Sequence, residues 1–166
     1  MFNANRKQYT NALTDNISDN NYNLEQVLLD KNLSITLRNE AKILMDFLFD
    51  KKNYLTLIDY ALFDKKTTVQ EFANLKRNQI NINAAHVLSF PSAKIRDMLS
   101  KIKGNSNEPL LLEKIYEFFE NKKINQNHLY AGHFQRIYLN SLFGSGSDFK
   151  TFFNSNFTSK LIPFLC

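Results

Sequence analysis

Cysteine, proline and glycine are all scarce in this chain, and tryptophan is absent. Cys166 is the only cysteine, which rules out an internal disulfide and a cysteine-built zinc site. A reducing compartment, the cytoplasm or also the nucleus, is the expected home. Three prolines and four glycines in 166 residues are too few for the many tight turns of an all-β fold, so an all-α chain is expected. Met1–Thr10 lacks the apolar stretch of a secretory signal. No uninterrupted apolar run approaches the roughly 18 residues that a membrane helix needs.

Catalytic patterns are missing too. There is no glycine-rich phosphate loop, no G-x-S-x-G and no H-E-x-x-H. His128 and His133 are five apart, neither of the spacings that bring two ligands together on a helix, and His86 is expected to be a packing residue. Glu113, Glu117 and Glu120 follow one helical stripe beside Lys114, which describes a solvated face. Cys166 is terminal and poorly held for nucleophilic work. The expectation is a chain that is not an enzyme, with no metal and no cofactor.

What is present is apolar surface at helical spacing. Apolar residues make up 43% of the chain and aromatics 13%, with 15 phenylalanines, enough for one domain with a real core. The fullest stretch is Pro109–Phe143. There Leu111, Ile115 and Phe118 recur on one run, and Tyr130, Phe134, Ile137 and Tyr138 on a second, predicting an αα-hairpin with apolar faces on both sides. The charge is +5, but the lysines are spread. Lys51–Lys52, Lys65–Lys66, Lys76–Arg77 and Lys122–Lys123 fall at helix ends or in loops, where they complement the helix dipole. A nucleic-acid patch is therefore the weaker reading.

In chain order, residues 1–22 are polar and aperiodic and are expected to form a mobile arm, with one domain over 23–166. A short helix covers Leu24 to Asp30. Ser34 is expected to cap a helix carrying Leu37, Ala41, Leu44, Met45 and Leu48. Asp50–Asn53 then turns the chain into a second helix ending at Phe63. Thr68-Val-Gln-Glu71 matches a capping box. A second hairpin pairs Ile80–Phe90 with Ala93–Ile102, whose start Ser92 caps. Asp148 and Thr158 are expected to open two short C-terminal helices.

Three hairpins and part of a fourth, with periods of roughly 30 to 45 residues, predict an armadillo/HEAT-like α-solenoid of about three to four helical hairpins. In such stacks one helix of each repeat lines a shared surface. The residues on that expected surface are Lys94, Asp97 and Lys101 on one helix and His133, Arg136 and Asn140 on another. The final Leu161-Ile-Pro-Phe-Leu-Cys166 is apolar and uncapped. It is expected to be covered by further chain of a longer solenoid, by a partner or by a second copy.

The order of segments resembles the start of the SAPS domain, found in regulatory subunits of protein phosphatase 6 type Ser/Thr phosphatases. Leu24-Glu-Gln-Val-Leu-Leu-Asp30, Asn39-Glu-Ala-Lys-Ile-Leu-Met-Asp-Phe-Leu48 and Leu55-Thr-Leu-Ile-Asp-Tyr60 are similar to that family's opening helices. Ile82-Asn-Ala-Ala-His-Val-Leu-Ser89 is similar to its next, small-residue helix. Leu111-Leu-Glu-Lys-Ile-Tyr-Glu-Phe-Phe119 followed by Asn127-His-Leu-Tyr-Ala-Gly-His-Phe134 is similar to its later hairpin. The resemblance implies a noncatalytic scaffold that binds a Ser/Thr phosphatase catalytic subunit and directs it to substrates. The family's domain is much longer than this chain. A generic helical protein–protein adaptor is the alternative.

Overall fold

The structure is a computed structural model that describes residues 12–63, 74–106, 108–121 and 127–143. The described residues form nine helices: α1 (12–18), α2 (Leu24–Leu29), α3 (Leu33–Arg38), α4 (Lys42–Leu48), α5 (Lys51–Leu62), α6 (Asn74–Leu88), α7 (Ala93–Lys101), α8 (Leu110–Glu120) and α9 (His128–Phe143). Among the described residues the only β-type pairing is an isolated bridge between Lys103 and Pro109. The all-α class expected from composition is what is observed. The capping box at Thr68–Glu71 and the helices expected after Asp148 lie outside the described residues.

Local sequence chemistry sets most of the helix ends. Asn23 and Gln26 cap α2 reciprocally, each side-chain oxygen accepting from the other's backbone N–H at 2.9 Å. Asp50 accepts from Lys52 N at 3.1 Å, so α5 begins at Lys51 and the expected turn over Asp50–Asn53 is helix instead. Ser92 caps α7 by accepting from Ile95 N at 3.3 Å, as expected. Ser34 lies inside α3; Asn32 occupies the cap position and makes no side-chain cap bond.

Two helices stop by the same device. At the end of α1, Asn21 N donates to Asn16 O and Asn20 N to Ile17 O. At the end of α3, Ala41 N donates to Thr36 O and Glu40 N to Leu37 O. This is the paired 6→1 and 5→2 closure that needs a left-handed residue, and Asn20 (φ 55°) and Glu40 (φ 49°) supply it. Asparagine tolerates that region, whereas for glutamate it costs about 1 kcal/mol. The single helix expected from Ser34 to Leu48 is thus two, broken at Glu40. Within the arm expected over 1–22, residues 12–18 form a helix instead, with Leu13 and Ile17, one turn apart, both buried in the core; residues 1–11 lie outside the described residues.

The core centres on α5. Tyr54, Leu57, Ile58, Tyr60, Ala61 and Leu62 are all buried, so this helix is apolar nearly all round and must be surrounded. It packs on α4, α6, α8 and α9, with α6 its most extensive partner. Small Ala84 and Ala85, both fully buried, suit close approach on α6. Full burial of Leu57 or Ile58 stabilises by about 1.5–3 kcal/mol each. The expected hairpin of α8 and α9 is joined by rings: Phe118 stacks on Phe134 at 5.4 Å, and Phe119 meets Phe134 edge-on at 4.9 Å. α7, by contrast, packs chiefly on α8 rather than on α6.

Candidate functional site

Three polar contacts fasten α9 to the central helices. His133 is only 5% exposed, and its Nδ1 lies 2.9 Å from Ala61 O, in the last turn of α5. A carbonyl can only accept, so Nδ1 carries the hydrogen and the ring caps a helix C-terminus. Asn140 Nδ2 donates to Phe90 O at 3.2 Å, just beyond the end of α6. Asn81 Nδ2 on α6 donates to Tyr130 Oη at 3.1 Å, while the buried Oδ1 of Asn81 has no hydrogen-bond partner. An unmet buried acceptor costs about 1–3 kcal/mol, which weakens this seam.

These contacts rearrange the surface expected from spacing. His133 belongs to the core, because its ring fills the angle between α9 and α5; its place on a partner-binding face is corrected by that burial. Asn140 is half-buried and committed to Phe90 O. Arg136 is exposed on α9. On α7, Lys94, Asp97 and Lys101 are exposed as expected. Asp97 pairs with Lys101 at 2.5 Å, a solvated i,i+4 pair worth about 0.3–0.5 kcal/mol. Lys94 Nζ reaches Glu40 O at 3.5 Å.

The outward face of α9 holds residues that spacing arguments passed over. Leu129 and Leu139 are 37% and 39% exposed, and Gly132 and Arg136 lie on the same stripe at i, i+3, i+7 and i+10. Gly132 sits mid-helix with ordinary negative φ, and a Cβ built there meets nothing within 4 Å. A glycine inside a helix costs about 1 kcal/mol against alanine. Gly104 is different. A Cβ there would fall 2.0 Å from Glu113 Oε2, which accepts from Asn105 N at 3.1 Å, while Glu113 Oε1 accepts from Ser106 N at 2.6 Å. The bond from the Ser106 hydroxyl is the largest influence holding the Glu113 carboxyl below its usual range. Gly104 therefore has a steric reason inside the fold, and Gly132 has none. An isolated glycine in an otherwise unbroken helical pattern was the signal available in the sequence.

Elsewhere the ionisable groups do structural work. Tyr60 Oη on α5 donates a short hydrogen bond to Glu25 Oε1 on α2, and both residues are buried. Burial first, and then that bond, raise the Tyr60 phenol well above its ordinary value, so it stays a donor. Lys114 spans α8 and α5, 2.6 Å from Glu117 and 3.7 Å from Asp59, with its ammonium over the Phe63 ring at 5.4 Å. His86 is half-buried against the edge of Phe90 at 5.5 Å, the packing role expected of it. Among the described residues no three His, Cys, Asp or Glu side chains gather into a metal-binding group. No described helix is long and apolar enough to cross a membrane. Comparisons with protein-family models, with curated proteins and with solved structures gave no match.

Proposed function

We propose that this chain is a noncatalytic helical scaffold that binds another protein, and that the outward face of α9 is its contact surface. The observation that carries this is Gly132. The helix gives up about 1 kcal/mol of stability at a position where a larger side chain would meet nothing. Close approach of a partner over that position supplies a reason, and the flanking Leu129 and Leu139 supply apolar contact with Arg136 beside them.

The partner proposed is a Ser/Thr protein phosphatase catalytic subunit, which the chain would direct to substrates; support for it is the resemblance of the opening helices and of the α8–α9 segment. The exposed Lys94, Asp97 and Lys101 on α7 extend the proposed contact. An armadillo/HEAT-like stack belongs to the same proposal. The pairing of α4 with α5 and the ring contacts of Phe118 and Phe119 on α8 with Phe134 on α9 support it, while the four helices gathered on α5 depart from the neighbour-only contacts of a strict stack. A generic helical protein–protein adaptor is the second reading, and the exposed Leu129 and Leu139 on α9 serve it equally.

The test is affinity capture from the native cell with the tagged full chain, beside Gly132→Ala and Gly132→Trp. Alanine should raise the unfolding midpoint by about 1 kcal/mol equivalent, since it removes a helix-interior glycine. Tryptophan should abolish capture of the phosphatase subunit while leaving the circular dichroism unchanged. Failure to recover any Ser/Thr phosphatase catalytic subunit with the unmodified chain would refute that partner. Capture unaffected by Gly132→Trp would refute this face.

A further inference from the structure

The face of α9 proposed above borders a second helix. Asn81 on α6 bonds Tyr130 near the start of α9, and Phe90, just past the end of α6, accepts from Asn140 near the end of α9. The two helices therefore run parallel. In that register Ile82 stands level with the turn from Leu129 to Gly132, and His86 stands level with Arg136. Ile82 and Leu129 are 39% and 37% exposed, so one end of the groove between the helices is aliphatic and open. One turn further along, the charge is of one sign. None of the chain's 16 acidic residues lies on α6 or α9, while Lys76, Arg77 and Arg136 do. Among the described residues no carboxylate pairs with Arg136. Glu40 reaches Ser92, just beyond α6, and is engaged there by the Ser92 hydroxyl at 2.6 Å.

We propose that the groove between α6 and α9 takes an acidic amphipathic helix of the partner, with an apolar side chain against Ile82 and Leu129 and a carboxylate one turn along on Arg136. The inference rests on the choice of the α9 face made above and adds the chemistry of what that face receives. A surface that carries cations and no anions draws a partner of opposite sign. The exposed guanidinium of Arg136 offers a carboxylate two parallel donors. An apolar stripe laid into a groove between helices supplies the rest of the contact. Nucleic acid fits this groove less well. Base stacking needs exposed aromatic faces, whereas the exposed side chains here are the aliphatic Ile82, Leu129 and Leu139. The one aromatic ring at this end of α6, Phe90, is half-buried and meets His86 edge-on at 5.5 Å.

Panning phage-displayed random peptides on the full chain, then titrating the best peptide by fluorescence anisotropy, tests this. Selected sequences should combine Asp or Glu with Leu, Ile or Phe at helical spacing. Arg136→Glu should weaken the best peptide about tenfold or more, and exchanging that peptide's acidic residue for lysine should restore binding to this variant alone. Ile82→Ser should weaken it about fivefold. Lys103→Glu makes the same change in net charge at an exposed position between α7 and α8, and should leave the affinity unchanged. Ile82 and Arg136 are exposed, so both variants keep the fold, which circular dichroism checks. Basic or uncharged sequences among the selected peptides, no enrichment over a bait-free control, affinity indifferent to Arg136→Glu, or a random-sequence RNA oligonucleotide bound more tightly than any peptide would each overturn the proposal. Gly132→Trp separates it from the reading of the α9 face. A peptide blocked by Gly132→Trp and indifferent to Arg136→Glu leaves the face standing and refutes the acidic partner. A peptide weakened by Arg136→Glu and Ile82→Ser and indifferent to Gly132→Trp supports the groove and refutes close approach at Gly132.

Discussion

Removing the hydroxyl of Tyr60 isolates the value of one buried bond. Tyr60→Phe keeps the ring, the rotamer and the packing on α5, and deletes only the donor that Glu25 Oε1 accepts from. Glu25 is 8% exposed, so water cannot simply replace the lost partner. A hydrogen bond to a charged group contributes about 1.5–3 kcal/mol, and stranding a buried carboxylate adds to the loss. We expect a loss of about 2–3 kcal/mol. With an unfolding entropy near 2.1 cal/mol/K per residue over 166 residues, that is a fall in Tm of roughly 6–9 °C. The assay is paired urea and thermal unfolding of the parent, Tyr60→Phe, Glu25→Gln and the double variant. Glu25→Gln alone should cost less than Tyr60→Phe, because an amide oxygen still accepts from the phenol. The cycle should show coupling above about 1 kcal/mol. A Tyr60→Phe variant within about 0.5 kcal/mol of the parent would refute the reasoning.

Three further outcomes are expected. Gly104→Ala should destabilise by about 1–2 kcal/mol, since its methyl must displace the Glu113 carboxylate from Asn105 and Ser106; urea unfolding, with amide exchange at the start of α8, reads it. At Glu40, glycine should be more stable than alanine by about 1 kcal/mol, because both delete the carboxylate that Ser92 Oγ donates to and only glycine accepts φ 49° freely; equal unfolding midpoints would argue against a strained residue there. The folded state lowers the proton affinity of His133 and His86 below the ordinary value of 6.5. Their contribution is therefore complete above pH 6.5 and is lost as pH falls through the lowered values, which stability measured from pH 7.5 to 4.5 should show as a decline beginning below 6.5.

Helical periodicity and capping chemistry are local, and both were legible. The stripe Leu44, Met45 and Leu48, the Ser92 cap, and the aromatic runs of α8 and α9 fixed helices at or near those places. The short range of such signals also explains the misses. Nothing near Glu40 announces a left-handed break, because the closure at Ala41 is held in place by a carboxylate that reaches Ser92, far along the chain. Asp50 reads in the sequence as the start of a turn, whereas its side chain opens α5, since turn and cap use the same residue types. Leu13 and Ile17 sit one turn apart among asparagines, too sparse a pattern to separate from a polar arm.

Spacing placed His133, Arg136 and Asn140 on one flank of a helix, and that much a 3.6-residue period dictates. Which flank faces water depends on where α5 and α6 end, and that is a property of the packed chain alone. Ala61, in the last turn of α5, carries a carbonyl to which α9 brings a ring nitrogen, and beyond α6 the Phe90 carbonyl accepts from Ser92 N and from the Asn140 amide, so two polar side chains turn inward. The same packing turns Leu129, Gly132 and Leu139 outward. The residue types and the helices came from the order of the amino acids; the choice between core and surface came from the backbone groups that distant helices left to be satisfied.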